Sequence, residues 1–124
     1  DYAHHPTEVK STIRATKEFF PKRNLTVVFQ PHLFTRTRDF ANDFAWSLSQ
    51  ADKLILLDIY PAREAPILGV DSKMLFNLCK NTNKELCSKN ELLNRLNKSD
   101  IDVLLTLGAG DIGTLVNPIQ RILN

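Results

Sequence analysis

Residues 26–39 read TVVFQPHLFTRTRD. A run of β-branched and apolar residues ends in Gln30-Pro31-His32, and Arg36 and Arg38 follow shortly after. The pattern predicts a helix beginning there, so both arginines fall at its positive end, where an exposed cation costs about 0.3–1 kcal/mol. A bound anion reverses that sign, because it meets helix N–H groups and a guanidinium fork together. The plain alternative is a pair of solvated arginines matched by Asp39 or Asp43, and surface pairs contribute little. Spacing alone does not separate the two readings.

Three further polar clusters invite the same question: Asp1-Tyr2-Ala3-His4-His5, Tyr60-Pro61-Ala62-Arg63-Glu64 and Gly108-Ala109-Gly110-Asp111. His4 and His5 are adjacent and lack the H-x-x-x-H spacing that lets two histidines on one helix share a metal. They read as a helix cap and a surface residue, with a phosphate hydrogen bond as the rarer use. Gly108-Ala109-Gly110 either brings backbone close to a ligand or makes a tight strand-to-helix turn. It lacks the third glycine of a dinucleotide fingerprint, and no G-x-x-x-x-G-K-[ST] run occurs. If ATP is spent, its main phosphate cradle therefore lies outside these 124 residues. The loop Tyr60 to Glu64 carries an aromatic, a cation and a carboxylate between prolines, and its plain reading is a salt-bridged lid. No G-x-S-x-G elbow supports a hydrolase triad. Cys79 and Cys87 lie outside any C-x-x-C spacing and read as small buried hydrophobes, not as nucleophiles, metal ligands or a disulfide scaffold.

These clusters need a scaffold. Val9, Ile13, Thr16 and Phe20 recur at helical spacing behind Pro6, which predicts a helix from Pro6 to Phe20. Leu25 to Gln30 and Lys53 to Asp58 are nearly continuous apolar runs, the pattern of strands buried on both faces. Between them a helix is expected over Arg36 to Gln50, with Phe40, Ala41, Phe44, Ala45 and Leu48 on its core face. Further expectations are a helix over Ser72 to Asn81, a short strand over Glu85 to Ser88 and a helix over Glu91 to Leu96. A strand over Asp102 to Leu107 and a last helix carrying Ile112, Leu115, Val116, Ile119 and Ile122 complete the chain. Strands alternating with helices predict an α/β fold: a Rossmann-like open, mostly parallel sheet with helices on both faces. In such sheets ligands bind outside the carboxyl ends of the strands, where all four clusters are expected.

The size fits one domain with a real core, residues 1–124. With 43% apolar and 24% charged residues and a net charge of +2, the chain shows no electrostatic footprint for nucleic acid. No apolar stretch reaches the ~20 residues of a membrane helix, and reduced thiols fit a cytoplasmic location. The abrupt DYAHHP start suggests a domain of a longer protein.

DYAHHPTE, VVFQPHLFTRTRDF, LLDIYPAREAPILGVDS and LGAGDIG resemble, in order, the C-terminal domain of the Mur ligases, the ATP-dependent ligases of peptidoglycan synthesis and cell-wall biogenesis. Within that family, QPHxxTRTRD resembles the branch that adds L-alanine to UDP-N-acetylmuramate. The resemblance implies an N-terminal UDP-sugar domain and a central P-loop ATPase domain beside this one, with ATP and Mg2+ bound mainly there. It implies that the muramate carboxylate becomes an acyl phosphate, which the L-alanine amine attacks. It places Asp1 at the ATP ribose, Tyr2 and His4 at the reaction centre with His4 near the transferred phosphate, and His32 and Arg36 at the L-alanine site. Arg36 would pair with the alanine carboxylate, and Gly108, Ala109 and Gly110 would wall the pocket. Two departures stand out: Ala3 where glycine is common, and Leu33-Phe34 where many relatives have Arg-Tyr. The alternatives are the recycling ligase that takes a preformed tripeptide, and an anion- or nucleotide-binding module without chemistry. The domain alone is expected to be inactive.

Overall fold

Leu25–Phe29 forms β1, and all five residues are buried, as a central parallel strand covered on both faces requires. β1 pairs in parallel with β2 (Lys53–Leu56) on one side and β4 (Val103–Leu107) on the other. β3 (Lys84–Leu86) adds to β2, again parallel, giving the order β3-β2-β1-β4. These assignments come from a computed structural model that describes residues 2–124, apart from the Lys98 side chain.

Because side chains alternate along a strand, each strand feeds two cores. Val27, Phe29, Leu54 and Leu56 face α1 (Pro6–Phe19), α3 (Ala41–Leu48) and α4 (Ser72–Leu78), meeting Val9, Ile13, Phe44, Leu48 and Leu75. Val28, Ile55 and Leu57 face the other way, onto Leu92 of α5 (Lys89–Arg95) and Ile119 of α6 (Val116–Leu123). The α/β architecture expected from the sequence is therefore present, and the four-stranded sheet is wholly parallel. Cys79 and Cys87 are buried and free, and burial pushes the Cys79 thiol up to about 11, too high for a nucleophile at neutral pH.

The helix expected over Arg36 to Gln50 is two helices. α2 runs Phe34–Asp39, the chain breaks at Phe40, and α3 follows. Phe40 ends α2 with φ −118° and ψ 22°, and its ring lies 5.0 Å from that of His5. The break lets Thr37 bury itself, donating to Leu33 O at 2.8 Å, while α3 independently turns Phe44 and Leu48 to the sheet. Arg36 and Arg38 consequently lie in the last turn of a short helix, not at the start of a long one. At the other end of the chain, Gly108–Gly110 leads into a 3-10 turn over Asp111–Leu115 before α6 begins.

Strand ends are shorter than the apolar runs suggest. β1 stops at Phe29, two residues before Pro31, which has no N–H to give a ladder. Lys84–Leu86 replaces the expected strand over Glu85 to Ser88, because Ser88 is recruited as the α5 cap and accepts from Glu91 N at 3.3 Å. Asp71 likewise caps α4, accepting from Met74 N at 2.9 Å. Among the described residues no helix is long and apolar enough to cross a membrane.

Candidate functional site

Four segments converge at the carboxyl ends of the strands. The loop after β1 and the loop after β2 zip together: Tyr60 N donates to Pro31 O at 2.8 Å, and Leu33 N donates to Tyr60 O at 2.9 Å. The Tyr60 ring then stacks on the His32 ring, with centroids 5.7 Å apart and planes 13° apart. The turn after β4 closes on the same tyrosine. A Cβ on Gly110 would lie 2.5 Å from Tyr60 Cγ and 2.6 Å from Gln30 Oε1, so only glycine fits between them. Gly108 combines φ 151° with a Cβ position 2.9 Å from Gln30 O. The fourth segment precedes α1 and brings the His4 ring to 6.0 Å from that of His32, with Tyr2 edge-on behind it at 5.7 Å.

His32 and Arg36 meet across one helical turn. Arg36 Nη1 donates to His32 Nδ1 at 3.0 Å. A guanidinium has only donors, so Nδ1 must be the unprotonated nitrogen and the ring proton resides on Nε2. Burial first, then the Arg36 and His4 charges, hold the His32 pKa below its ordinary 6.5, with Glu64 opposing weakly. At neutral pH the pair therefore presents a neutral N–H donor beside a guanidinium. Among the described residues Arg36 makes no ion pair with a carboxylate, whereas Arg38 pairs with Asp39 at 2.9 Å. Arg36 is thus the arginine with charge to offer, and Arg38 the one already matched.

The start of α2 carries no basic residue of its own, because Arg36 and Arg38 lie in its last turn. The anion at the start of α2 is the protein's own Glu64. Its Oε1 accepts from Phe34 N at 2.6 Å and Thr35 N at 3.2 Å, and its Oε2 accepts from Thr35 Oγ1 at 2.5 Å. These bonds pull its pKa down, the Thr35 hydroxyl first. The loop Tyr60 to Glu64 is accordingly a hydrogen-bonded brace, not the salt-bridged lid expected from its composition. The segment it braces is strained: Leu33 has φ 73°, a left-handed conformation that costs a branched residue about 1–3 kcal/mol.

A second brace went unseen in the sequence. Gln30 is 4% exposed and spans two loops. Its Nε2 donates to Asp111 Oδ1 at 2.6 Å, and its Oε1 accepts from Ile112 N at 2.9 Å. Asp111 is also paired with Lys89, which lowers its pKa more than Gln30 does. Eighty-one residues separate Gln30 from Asp111, so no local pattern announces their contact.

His5 is the N-cap residue of α1, its backbone N–H given to Glu8 Oε1 at 3.1 Å, and His4 stands one residue earlier, facing the site. The expected cap is therefore His5, whereas His4, expected at the surface, is half-buried against the His32 ring. Asp1 lies outside the described residues. Among the described residues no group of three or more His, Cys, Asp or Glu side chains could hold a metal ion. A cavity of about 750 Å³ lies elsewhere, between α3 and α4 beside Trp46.

A parallel sheet flanked by helices, with a guanidinium, a neutral imidazole donor and a glycine-packed turn gathered at the carboxyl ends of its strands, defines a Rossmann-like α/β domain. The chain belongs to the Mur ligase C-terminal domain family, and the model of the Mur ligase glutamate ligase domain matches residues 1–110. It is 56% identical over 124 residues to the UDP-N-acetylmuramate–L-alanine ligase of Flavobacterium psychrophilum and 54% identical over 125 to that of Phocaeicola vulgatus. All of this chain matches, but it spans only 28% and 27% of those proteins. In solved structures, it resembles the UDP-N-acetylmuramate–alanine ligase of Thermotoga maritima, with TM-score 0.75 and 26% identity over 98% of this chain and 25% of that one. The murein peptide ligase of Psychrobacter arcticus has the same TM-score at 16% identity, over 99% of this chain and 26% of that one, and so shares the fold.

Proposed function

We propose that this domain supplies the amino-acid site of an ATP-dependent ligase that joins L-alanine to UDP-N-acetylmuramate in the cytoplasm, during peptidoglycan synthesis. The observation that carries the reading is the His32–Arg36 pair, a cation and a neutral donor side by side on the carboxyl rim. The names and identities of the relatives support L-alanine over a tripeptide.

In this reading Arg36 forms a charge-assisted bond to the alanine carboxylate, with His32 Nε2–H as a second donor. Gly108, Ala109 and Gly110 form the wall beside the alanine methyl, with Tyr60 behind them. His4 stands between the amino-acid site and the acyl phosphate that ATP has made of the muramate carboxylate. Tyr2 backs His4, and the family resemblance assigns Asp1 to the ATP ribose. The alanine amine attacks the acyl carbon, the new C–N bond forms, and the C–O bond to phosphate breaks as the amine loses a proton. ATP and Mg2+ would bind mainly through a central P-loop domain of the same protein, and an N-terminal domain would hold the UDP-sugar. The domain's contribution is positioning: holding amine and acyl phosphate together accounts for much of the rate gain.

The test is ADP release by the full-length protein with ATP, magnesium and UDP-N-acetylmuramate, adding L-alanine, glycine, L-serine or tripeptide in turn. Release dependent on L-alanine is expected. Release dependent on tripeptide would assign the recycling reaction, and release with none of them would leave a binding module. The purified 124-residue chain is expected to release no ADP under the same conditions.

A further inference from the structure

Among the described residues, the two non-glycine residues with positive φ are Leu33 at 73° and Ala62 at 52°. They lie in the two loops that zip together at the carboxyl rim, and backbone strain of this kind persists only where surroundings over-determine it. Leu33 itself is held by its N–H to Tyr60 O at 2.9 Å and by Thr37 Oγ1 donating to its carbonyl at 2.8 Å, and one side chain fixes the residues after it. Glu64 sits at the end of a turn closed by its own N–H to Pro61 O at 2.9 Å, and reaches across to Phe34 N, Thr35 N and Thr35 Oγ1. These acceptances pin the two residues that follow Leu33. His32 lies immediately before the strained residue and Arg36 three residues after it, so their 3.0 Å contact exists only while the intervening backbone keeps this path.

We infer that Glu64 is a positioning residue of the amino-acid site, acting through the segment His32–Arg36 to set the imidazole and guanidinium at their working separation. The inference rests on the proposed alanine reading for its substrate, but its structural core concerns only the His32–Arg36 pair. Glu64 does not touch the amino acid. It replaces solvent and loop fluctuation with three fixed acceptances, so that the site is formed before the ligand arrives, which is how preorganisation raises affinity.

The experiment is a double-mutant cycle on the full-length enzyme. Glu64→Ala is expected to raise the KM for L-alanine about ten-fold, with the KM values for ATP and UDP-N-acetylmuramate within about two-fold of wild type. Glu64→Gln keeps an acceptor oxygen for both amides and is expected to stay within about three-fold of wild type. On an Arg36→Ala background, Glu64→Ala is expected to cost little more, because the residue it acts through is gone. Full additivity, or equal losses for all three substrates, would overturn the assignment.

A substrate-free readout separates this claim from the reaction itself. With 15N-labelled histidine in the full-length protein, His32 is expected as the Nε2–H tautomer in the wild type and Glu64→Gln, and as a tautomer mixture in Glu64→Ala. An unchanged His32 signal in Glu64→Ala would overturn the positioning role whatever the substrate proves to be. A changed signal in an enzyme that ignores L-alanine would uphold the positioning and discard the alanine reading.

Discussion

The two ends of the sheet use charge in opposite ways. At the amino ends of the strands, carboxylates serve the backbone. Asp52 Oδ2 accepts from Leu25 N at 2.7 Å where β1 begins, and Asp102 Oδ2 accepts from Asn24 N at 3.1 Å while also pairing with Arg23. Lys17 stands 3.9 Å from Asp52. Cations and anions are matched there, and the connections Arg23–Asn24 and Asp102 simply start strands. At the carboxyl ends the carboxylates Glu64 and Asp111 are also committed to the protein, but Arg36 is left facing a neutral ring. Left-handed Leu33 and the glycine-only fit of Gly110 against Tyr60 occur at this end as well. One rim is arranged for stability, and the other holds a strained loop and a cation that, among the described residues, no carboxylate pairs.

That contrast can be broken or sharpened by substitution at each rim in the full-length enzyme. The largest effect is expected from Arg36→Ala: a loss in kcat/KM for L-alanine of roughly 30- to 1,000-fold, about 2–4 kcal/mol, with Tm nearly unchanged. Gly110→Ala should come next. Its Cβ would meet Tyr60 and Gln30, so overpacking should cost about 1–3 kcal/mol of stability, read by thermal unfolding, together with a loss of alanine use. Asp102→Ala tests the opposite rim. Its pair with Arg23 is largely exposed and contributes little, so the lost backbone acceptance dominates at about 0.5–1.5 kcal/mol. Alanine KM should not change in that variant, and a changed KM would break the division between rims.

The smallest effect should be in pH dependence. The His32 pKa is lowered in the fold, so the unfolded chain binds its proton more readily. Its contribution to stability is therefore full above pH 6.5 and declines as pH falls from 6.5 through the lowered folded value. Alanine KM should rise over the same acid window, because a protonated Nδ1 can no longer accept from Arg36. His32→Asn should lose that step in the pH profile.

Much of this was legible in the sequence. Continuous apolar runs identified β1, β2 and β4, and the strand–helix alternation identified the sheet and its loaded rim. His32 and Arg36 stood out as polar residues at a strand's carboxyl end. The break at Phe40 was not legible, because Phe40, Phe44 and Leu48 keep helical spacing straight through it. Nor was the identity of the anion at α2, since Glu64 lies 30 residues from Phe34 and its loop composition fits a surface ion pair equally well. Gly110 was recognisable as a tight position, but its neighbour Tyr60 belongs to another crossover. In the last two cases what was missed is a contact between loops that only the closed sheet brings together.

The most direct test of the division between rims is to resolve the Arg36→Ala loss by substrate, measuring steady-state KM for L-alanine and for UDP-N-acetylmuramate in the full-length enzyme. A steep rise for L-alanine with the UDP-sugar value unchanged is the predicted result. Equal rises for both substrates, or no rise for L-alanine, would contradict the assignment of the Arg36 guanidinium to the amino-acid carboxylate.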